Sequence, residues 1–253
     1  MAEHMPGRTA TSRRLVRRRT RALATYLAAA SILALPTSAF ANCRENAMIV
    51  FDASGSMGAP AEGARRIDIA RQAIDDILPE VTATRPTGLV TYGGAFAMGC
   101  DGVELRLPPM SNAGSLIRSE LLALQPSGQT PVSEATWLAA QAVDDGSQRG
   151  TVVVVTDGRE NCGLSACALG AKLAREAPNI KVHVIGFHLR SAAEASVACL
   201  AQQTGGTYSA TRTLTALRKA LRRTLTCPRI SDARSLGTLA AKAAVGAGSH
   251  RIK

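Results

Sequence analysis

The chain has 253 residues, which is enough for one domain with a sizeable buried core. Hydrophobic residues make up 46% and aromatic residues only 3%, so the core must be built mainly from Val, Ile, Leu and Ala. The formal net charge is +11, but residues 1–41 hold seven arginines and one glutamate, and the remainder carries +5. This mild charge removes most of the support for a nucleic-acid-binding protein.

The N-terminal segment has the composition of an export signal. Six arginines within residues 13–21 precede a mostly apolar stretch at 22–35. Ala39-Phe40-Ala41 is the small-x-small pattern that signal peptidase cleaves, which predicts cleavage before Asn42. The apolar stretch is too short and alanine-rich to favour a permanent span, although an uncleaved anchor is the alternative. We expect an exported protein, periplasmic or secreted, with residues 1–41 as its signal peptide and no stable membrane span after cleavage.

Residues 42–227 alternate between predicted strands and predicted helices. Apolar runs, one of which alternates with polar residues, indicate strands at 48–51, 88–92, 103–107, 151–156, 180–187 and 207–209. Apolar residues at helical spacing indicate helices at 67–78, 116–124, 131–143, 167–176, 191–204 and 214–225. Pro79 is expected to end the first helix, and Ser191 with Glu194 forms a predicted capping box.

This order of elements predicts an α/β fold of the Rossmann-like kind. Strands that alternate with helices form a mostly parallel central sheet with helices on both faces. The alternating segment 103–107 predicts one half-exposed edge strand. Ligands of such sheets bind beyond the carboxyl ends of the strands, where Asp52 and Asp157 are both placed. Residues 228–253, rich in Ala, Gly and basic residues, are expected to form a loosely ordered tail.

Five oxygen-bearing residues stand at predicted strand ends or helix starts. They are Asp52, Ser54, Ser56, Thr130 and Asp157. Carboxylates and hydroxyls are hard ligands that suit Mg²⁺ or Mn²⁺ and suit zinc poorly. Singly, the hydroxyls have a simpler interpretation as helix caps, and Asp157-Gly158 as a turn. Together they predict a metal site with so little protein charge that the cation attracts an acidic partner.

Other functional sites have weaker support. His183 and His188 with nearby cysteines match no common zinc spacing. The chain contains no Gly-x-Ser-x-Gly elbow and no phosphate loop ending in Gly-Lys-Ser/Thr. A metal-assisted hydrolase, with Asp52 and Asp157 as ligands, stays as an alternative that lacks an evident base. A structural envelope domain with a vestigial site is the third hypothesis.

All six cysteines follow the predicted cleavage site, which favours disulfides in an exported chain. Six cysteines allow 15 pairings. Cys162 and Cys167 are close enough to staple one loop, and Cys43 and Cys227 bracket the predicted domain. Pairing of Cys100 with Cys199 then follows only by elimination.

The metal-ligand pattern resembles that of the von Willebrand factor type A domain. That family's metal-ion-dependent adhesion site has the form D-x-S-x-S, then a Thr, then an Asp, and the five residues named above match it without substitution. Gly-x-Thr-Pro around Thr130 and Val-Val-Thr-Asp-Gly around Asp157 agree as well. The resemblance covers about residues 46–226, and the loop from Asn161 to Cys167 is similar to a stapled loop of bacterial extracytoplasmic members.

The resemblance implies binding and not catalysis. Ser54, Ser56 and Thr130 would be direct ligands of Mg²⁺ or Mn²⁺, while the two aspartates supply charge and hold water. One coordination position would stay open for an Asp or Glu of a protein partner. The expected protein is therefore a non-enzymatic adhesion or assembly module of the cell envelope, with its domain at 42–227.

Overall fold

The computed structural model describes residues 45–94, 99–143 and 149–227. The centre of the fold is a sheet of six strands. The predicted signal peptide, the predicted tail and Cys43 lie outside these ranges. The strands, with a small separate hairpin of β2 and β3, are β1 Ala47–Ala53, β2 Pro60–Ala61, β3 Ala64–Arg65, β4 Thr87–Gly93, β5 Val103–Met110, β6 Gly150–Thr156, β7 Ile180–Phe187 and β8 Tyr208–Thr211.

The sheet order is β5-β4-β1-β6-β7-β8. β5 pairs antiparallel with β4 at one edge, and every other pairing in this sheet is parallel. The predicted mostly parallel sheet with one antiparallel edge strand is confirmed. β1 and β6 are direct neighbours, so their carboxyl ends lie side by side at one edge of the sheet.

Seven helices are present in the described ranges, and a 3₁₀ turn at Gly55–Gly58 follows β1. The helices are α1 Arg66–Asp75, α2 Leu78–Thr82, α3 Gly114–Ala123, α4 Val132–Val143, α5 Ala166–Glu176, α6 Ser191–Gln203 and α7 Leu214–Leu225. None of them is long and apolar enough to cross a membrane.

The sheet is covered on both faces, as predicted. Ile49 and Phe51 of β1 point into one buried cluster with apolar residues of α1, α3 and α7. Met48 and Val50 point into the other, with residues of α4, α5 and α6. Burial on both sides explains why β1 is an unbroken apolar run instead of an alternating one.

Local differences from the prediction have simple causes. Pro79 does not end the first helix: α1 already ends at Asp75, and Pro79 lies in the first turn of α2, where its missing N–H costs nothing. The predicted capping box is wrong, because the N-cap residue is Arg190, which makes no side-chain capping bond, and Ser191 is already helical. The β2–β3 hairpin went unpredicted because two-residue strands carry no periodic signal.

The predicted Cys162–Cys167 disulfide is wrong. Cys100 pairs with Cys162, and Cys167 pairs with Cys199, with Cα–Cα distances of 5.5 and 5.0 Å. Cys162 lies in the loop after β6, near the loop before β5, whereas Cys167 lies in the first turn of α5.

Close packing of α5 against α6 accounts for the second pairing. A Cβ atom added at Gly170 of α5 would lie 3.0 Å from the Cα atom of Leu200 in α6, so the two backbones nearly touch there. Cys227 is also disulfide-bonded. Its predicted partner, Cys43, lies outside the described ranges.

Candidate metal centre

The two aspartates meet where β1 and β6 end. β1 and β6 are in register with Phe51 opposite Val155, so Asp52 lies beside Thr156 and one residue from Asp157. Asp52 is fully buried and Asp157 nearly so. The backbone N–H of Asp157 donates to Oδ2 of Asp52 at 3.3 Å. The topology therefore brings together two carboxylates that are 105 residues apart in the chain.

The two serines join this pair through the turn that follows β1. The Ser54 N–H donates to Oδ1 of Asp52 at 2.8 Å, which folds the chain back over the carboxylate. The hydroxyl oxygens of Ser54 and Ser56 are 3.2 Å apart, and the Ser56 hydroxyl donates to Oδ1 of Asp157 at 2.5 Å. Ser54 makes no side-chain capping bond, so the simpler interpretation of this residue as a cap is wrong.

Thr130 is held by a residue that the sequence argument did not assign to the site. Oδ1 of Asn161 accepts a hydrogen bond from the Thr130 N–H at 2.8 Å, and the Asn161 N–H donates to the Thr130 carbonyl at 3.4 Å. A Cβ atom added at Gly158 would lie 3.1 Å from Oγ1 of Thr130 and 3.7 Å from Oγ of Ser56. The hydroxyls of Thr130 and Ser56 thus border the same small space above Gly158.

A buried hydrogen-bonded chain holds Asp52 from below. The Tyr92 hydroxyl donates to Oγ1 of Thr156 at 2.9 Å, and Thr156 donates to Oδ2 of Asp52 at 2.8 Å. Burial, followed by the negative charge of Asp157, raises the pKa of Asp52 to about 6. Burial and the charge of Asp52 also raise the pKa of Tyr92. The charge of Asp157 and burial thus both disfavour the ionised form of Asp52.

Arg66 is a second residue that the sequence argument missed. Its Nη1 atom lies 2.8 Å from Oδ2 of Asp157, with the arginine side chain 22% exposed and the aspartate side chain fully buried. The site is therefore less negative than two aspartates alone, because a guanidinium already neutralises one of them.

The donor set suits a small hard cation. Octahedral Mg²⁺ has its ligands at about 2.1 Å, which places adjacent ligand atoms about 3 Å apart. The 3.2 Å separation of the Ser54 and Ser56 hydroxyl oxygens matches this edge. A Cβ atom at Gly158 would lie 3.1 Å from Oγ1 of Thr130, so the glycine keeps this hydroxyl from being crowded. No cluster of three or more His, Cys, Asp or Glu occurs in the described ranges.

The two histidines occupy different places. His183 lies within β7, paired in register with Val153, and its Nδ1 atom lies 2.9 Å from Oγ1 of Thr207. His188 directly follows β7, at the same edge of the sheet as the two aspartates. Burial, and then the positive charge of Arg66, lower the pKa of His188. The imidazole of His188 thus lies at the sheet edge that carries the candidate site, which the sequence did not indicate.

Comparison with known proteins gives a family and a fold. Residues 47–160 match the family model of the von Willebrand factor type A domain. Protein YwmD of Bacillus subtilis (strain 168) is 29% identical over 175 residues, which cover 64% of this chain and 77% of YwmD.

Two solved structures share the fold at low sequence identity. The PilB minor pilin from Streptococcus sanguinis superposes with a TM-score of 0.55 at 16% identity, covering 71% of this chain and 60% of the pilin. Proximal thread matrix protein 1 from the mussel byssus, with a zinc-occupied MIDAS motif, gives a TM-score of 0.51 at 15% identity, covering 72% of this chain and 47% of that protein. The chain thus spans less than two thirds of either protein.

Proposed function

Because residues 47–160 belong to the von Willebrand factor type A domain family, we propose that the protein is an exported interaction module. This module captures an acidic side chain of another protein through a bound Mg²⁺ or Mn²⁺. The domain is proposed to extend over residues 42–227. Adhesion, assembly of an envelope complex and capture of a protein substrate would all use this contact.

Each residue has a distinct role in this proposal. Ser54, Ser56 and Thr130 offer neutral hydroxyl oxygens as direct ligands. Asp52 and Asp157 supply negative charge and orient the serines through the hydrogen bonds already described. A dication bound among these groups would supply an open coordination position and a positive field for a carboxylate.

One observation carries the proposal. The five residues of the sequence pattern come from three separate segments of the chain, and they meet at one edge of the sheet. A chain of short contacts links Asp52 to Ser54, Ser54 to Ser56, and Ser56 to Asp157. Caps and turns that had formed independently would have no reason to converge on one small space.

Two further observations support export and protein binding. Two disulfides within the described ranges suit an oxidising compartment. The structural neighbours include a minor pilin and a pilus adhesin, SpaC from Lactobacillus rhamnosus GG, which are surface proteins by name.

Isothermal titration calorimetry of the oxidised domain with Mg²⁺ and Mn²⁺ tests the metal site. We expect weak binding that Ser54→Ala and Asp157→Ala abolish while circular dichroism shows a folded protein. Ser119→Ala, an exposed serine on α3, is the matched control and should bind as the wild type does. Unchanged metal affinity in both site variants would refute the assignment.

Capture of an envelope-extract protein on the immobilised domain, with and without chelator, tests the acidic partner. We expect metal-dependent retention that Asp157→Ala removes.

The metal-assisted hydrolase is the second candidate, because His188 lies at the same edge of the sheet. Its Nε2 atom is buried without a hydrogen-bond partner. A screen with generic esters and phosphoesters should show no turnover. Metal-dependent turnover lost in His188→Gln would favour the hydrolase over the binding module.

A further inference from the structure

Arg66 stands at a helix position where a positively charged side chain is usually unfavourable. It is the first residue of α1, where the partial positive charge of a helix N-terminus disfavours cations. The acidic residue of that first turn, Asp68, is already paired with Arg65 and Arg71. Arg66 instead reaches across the sheet edge to Asp157, 91 residues away in the chain. The helix itself therefore gives no reason for an arginine at this position.

The contact between Arg66 and Asp157 uses only part of the guanidinium. Nη1 makes the 2.8 Å bond, whereas Nε is buried and has no hydrogen-bond partner. A bidentate arginine–carboxylate pair would use two nitrogens and would be stronger. The other oxygen of Asp157 accepts from Ser56, so each oxygen of the carboxylate has one donor and further lone pairs remain. Arg66 is therefore held to Asp157 by one hydrogen bond, which is weaker than a bidentate contact would be.

We propose that Arg66 is a resident counter-cation of the metal site, which occupies Asp157 when no metal is bound and thereby lowers the affinity of the site for divalent cations. This inference rests on the metal binding in the proposed function. With Arg66 present, the site carries one net negative charge from two aspartates and one guanidinium. A dication then leaves one net positive charge, which one carboxylate of a partner neutralises.

The positive charge of Arg66 extends beyond Asp157. It contributes, after burial, to the lowered pKa of His188. A dication near Asp157 would meet the same repulsion, which the partial exposure of Arg66 weakens but does not remove. Loss of the arginine should therefore strengthen metal binding, whereas damage to a purely structural residue would weaken it. The two interpretations predict changes of opposite sign.

Calorimetric titration of Mn²⁺ and Mg²⁺ into Arg66→Gln and Arg66→Met tests the inference. We expect both neutral variants to bind the metal at least about tenfold more tightly than the wild type. Arg66→Lys, which keeps the charge, should stay close to the wild type. Arg65→Gln removes an adjacent charge that pairs with Asp68 and not with Asp157, so it is the matched control and should not change the affinity.

Thermal unfolding in chelator gives a readout that needs no metal. The neutral variants leave the buried carboxylate of Asp157 without its cation, so in chelator they should unfold at a lower temperature than the wild type. Adding Mn²⁺ should raise the unfolding temperature of these variants more than it raises that of the wild type. Equal or weaker metal binding by both neutral variants, with a binding wild type, would overturn the role of Arg66 alone. Absence of binding in every variant would overturn the proposed metal site itself.

Discussion

Thr156 is the residue whose removal should reveal how the metal-free site is held together. Its hydroxyl donates to Oδ2 of Asp52 and accepts from the Tyr92 hydroxyl, and all three residues are fully buried. Thr156→Val keeps the shape of the side chain but removes these two hydrogen bonds and the one that Oγ1 accepts from the Gly158 N–H at 3.2 Å. The bond to an ionised carboxylate contributes about 1.5–3 kcal/mol, and a buried tyrosine hydroxyl left without an acceptor costs about 1–3 kcal/mol. The free energy of unfolding should therefore fall by about 3–5 kcal/mol.

Urea unfolding at pH 7.5 in chelator measures this loss, and thermal unfolding should show a decrease in midpoint of about 10 °C. Thr215→Val, at an exposed position of α7, is the matched control and should change the free energy by no more than about 0.5 kcal/mol. Tyr92→Phe combined with Thr156→Val should cost less than the two single changes added, because the orphaned hydroxyl is gone. A Thr156→Val protein as stable as the control would show that the chain from Tyr92 to Asp52 contributes nothing.

Three other changes address the space above Gly158, the loops beside it and the charge beneath it. Gly158→Ala places a methyl group 3.1 Å from Oγ1 of Thr130, so metal affinity measured by calorimetry should fall severalfold; an unchanged affinity would show that the space is not used. Replacing Cys100 and Cys162 together by Ala opens a bridge across 62 residues and should lower the free energy of unfolding by about 4 kcal/mol in urea. In chelator, the pKa of Asp52, about 6 in the folded protein against a usual 3.8, means that the unfolded chain ionises first as the pH rises. The contribution of Asp52 to the free energy of unfolding should therefore fall by about 2–3 kcal/mol between pH 4 and pH 7. It is measured as the difference between the pH profiles of the wild type and Asp52→Asn, because Asp68, His183 and His188 contribute slopes of their own; parallel profiles of the two proteins would contradict the assignment.

Elements with a continuous periodic signal were predictable from the sequence. β7 begins and ends where its apolar run does, and α7 coincides with its leucine stripe. The short hairpin of β2 and β3 and the helix boundary near Pro79 were not, because a few residues carry no period. Local sequence therefore determines the long elements here, while tertiary packing determines the short ones.

The positions of the candidate ligand residues were predictable for a different reason from those of the residues that contact them. Asp52 and Asp157 follow apolar strands, and the carboxyl ends of parallel strands meet at one edge. No comparable sequence pattern identifies Arg66 or Asn161. Arg66 contacts Asp157, and Asn161 contacts Thr130, and both partners are far away in the chain. Contacts of this kind depend on the path of the loops in three dimensions, which composition and spacing do not encode.

The same limitation explains the disulfide error. Proximity in sequence favoured Cys162 with Cys167, but the short segment between them includes the turn into α5, and Cys167 in the first turn of that helix is bonded to Cys199 of α6. The observed bond from Cys162 to Cys100 instead joins two loops that both contact the segment before α4, since Gln129 donates to the Gly99 carbonyl. The covalent framework thus supports the loop that carries Thr130, which a bond from Cys162 to Cys167 would not do.

The arrangement at the sheet edge has a consequence for how metal and partner would act together. The oxygens of Asp157 accept hydrogen bonds from Ser56 and Arg66, so a positive charge already lies beside the site when a cation binds. Metal alone is then expected to bind weakly, because repulsion by Arg66 offsets part of its Coulomb gain. A partner carboxylate neutralises the remaining positive charge, so it should strengthen metal binding by the same factor by which metal strengthens partner binding. This distribution of charge therefore favours weak binding of the metal or the partner alone and strong binding of the two together.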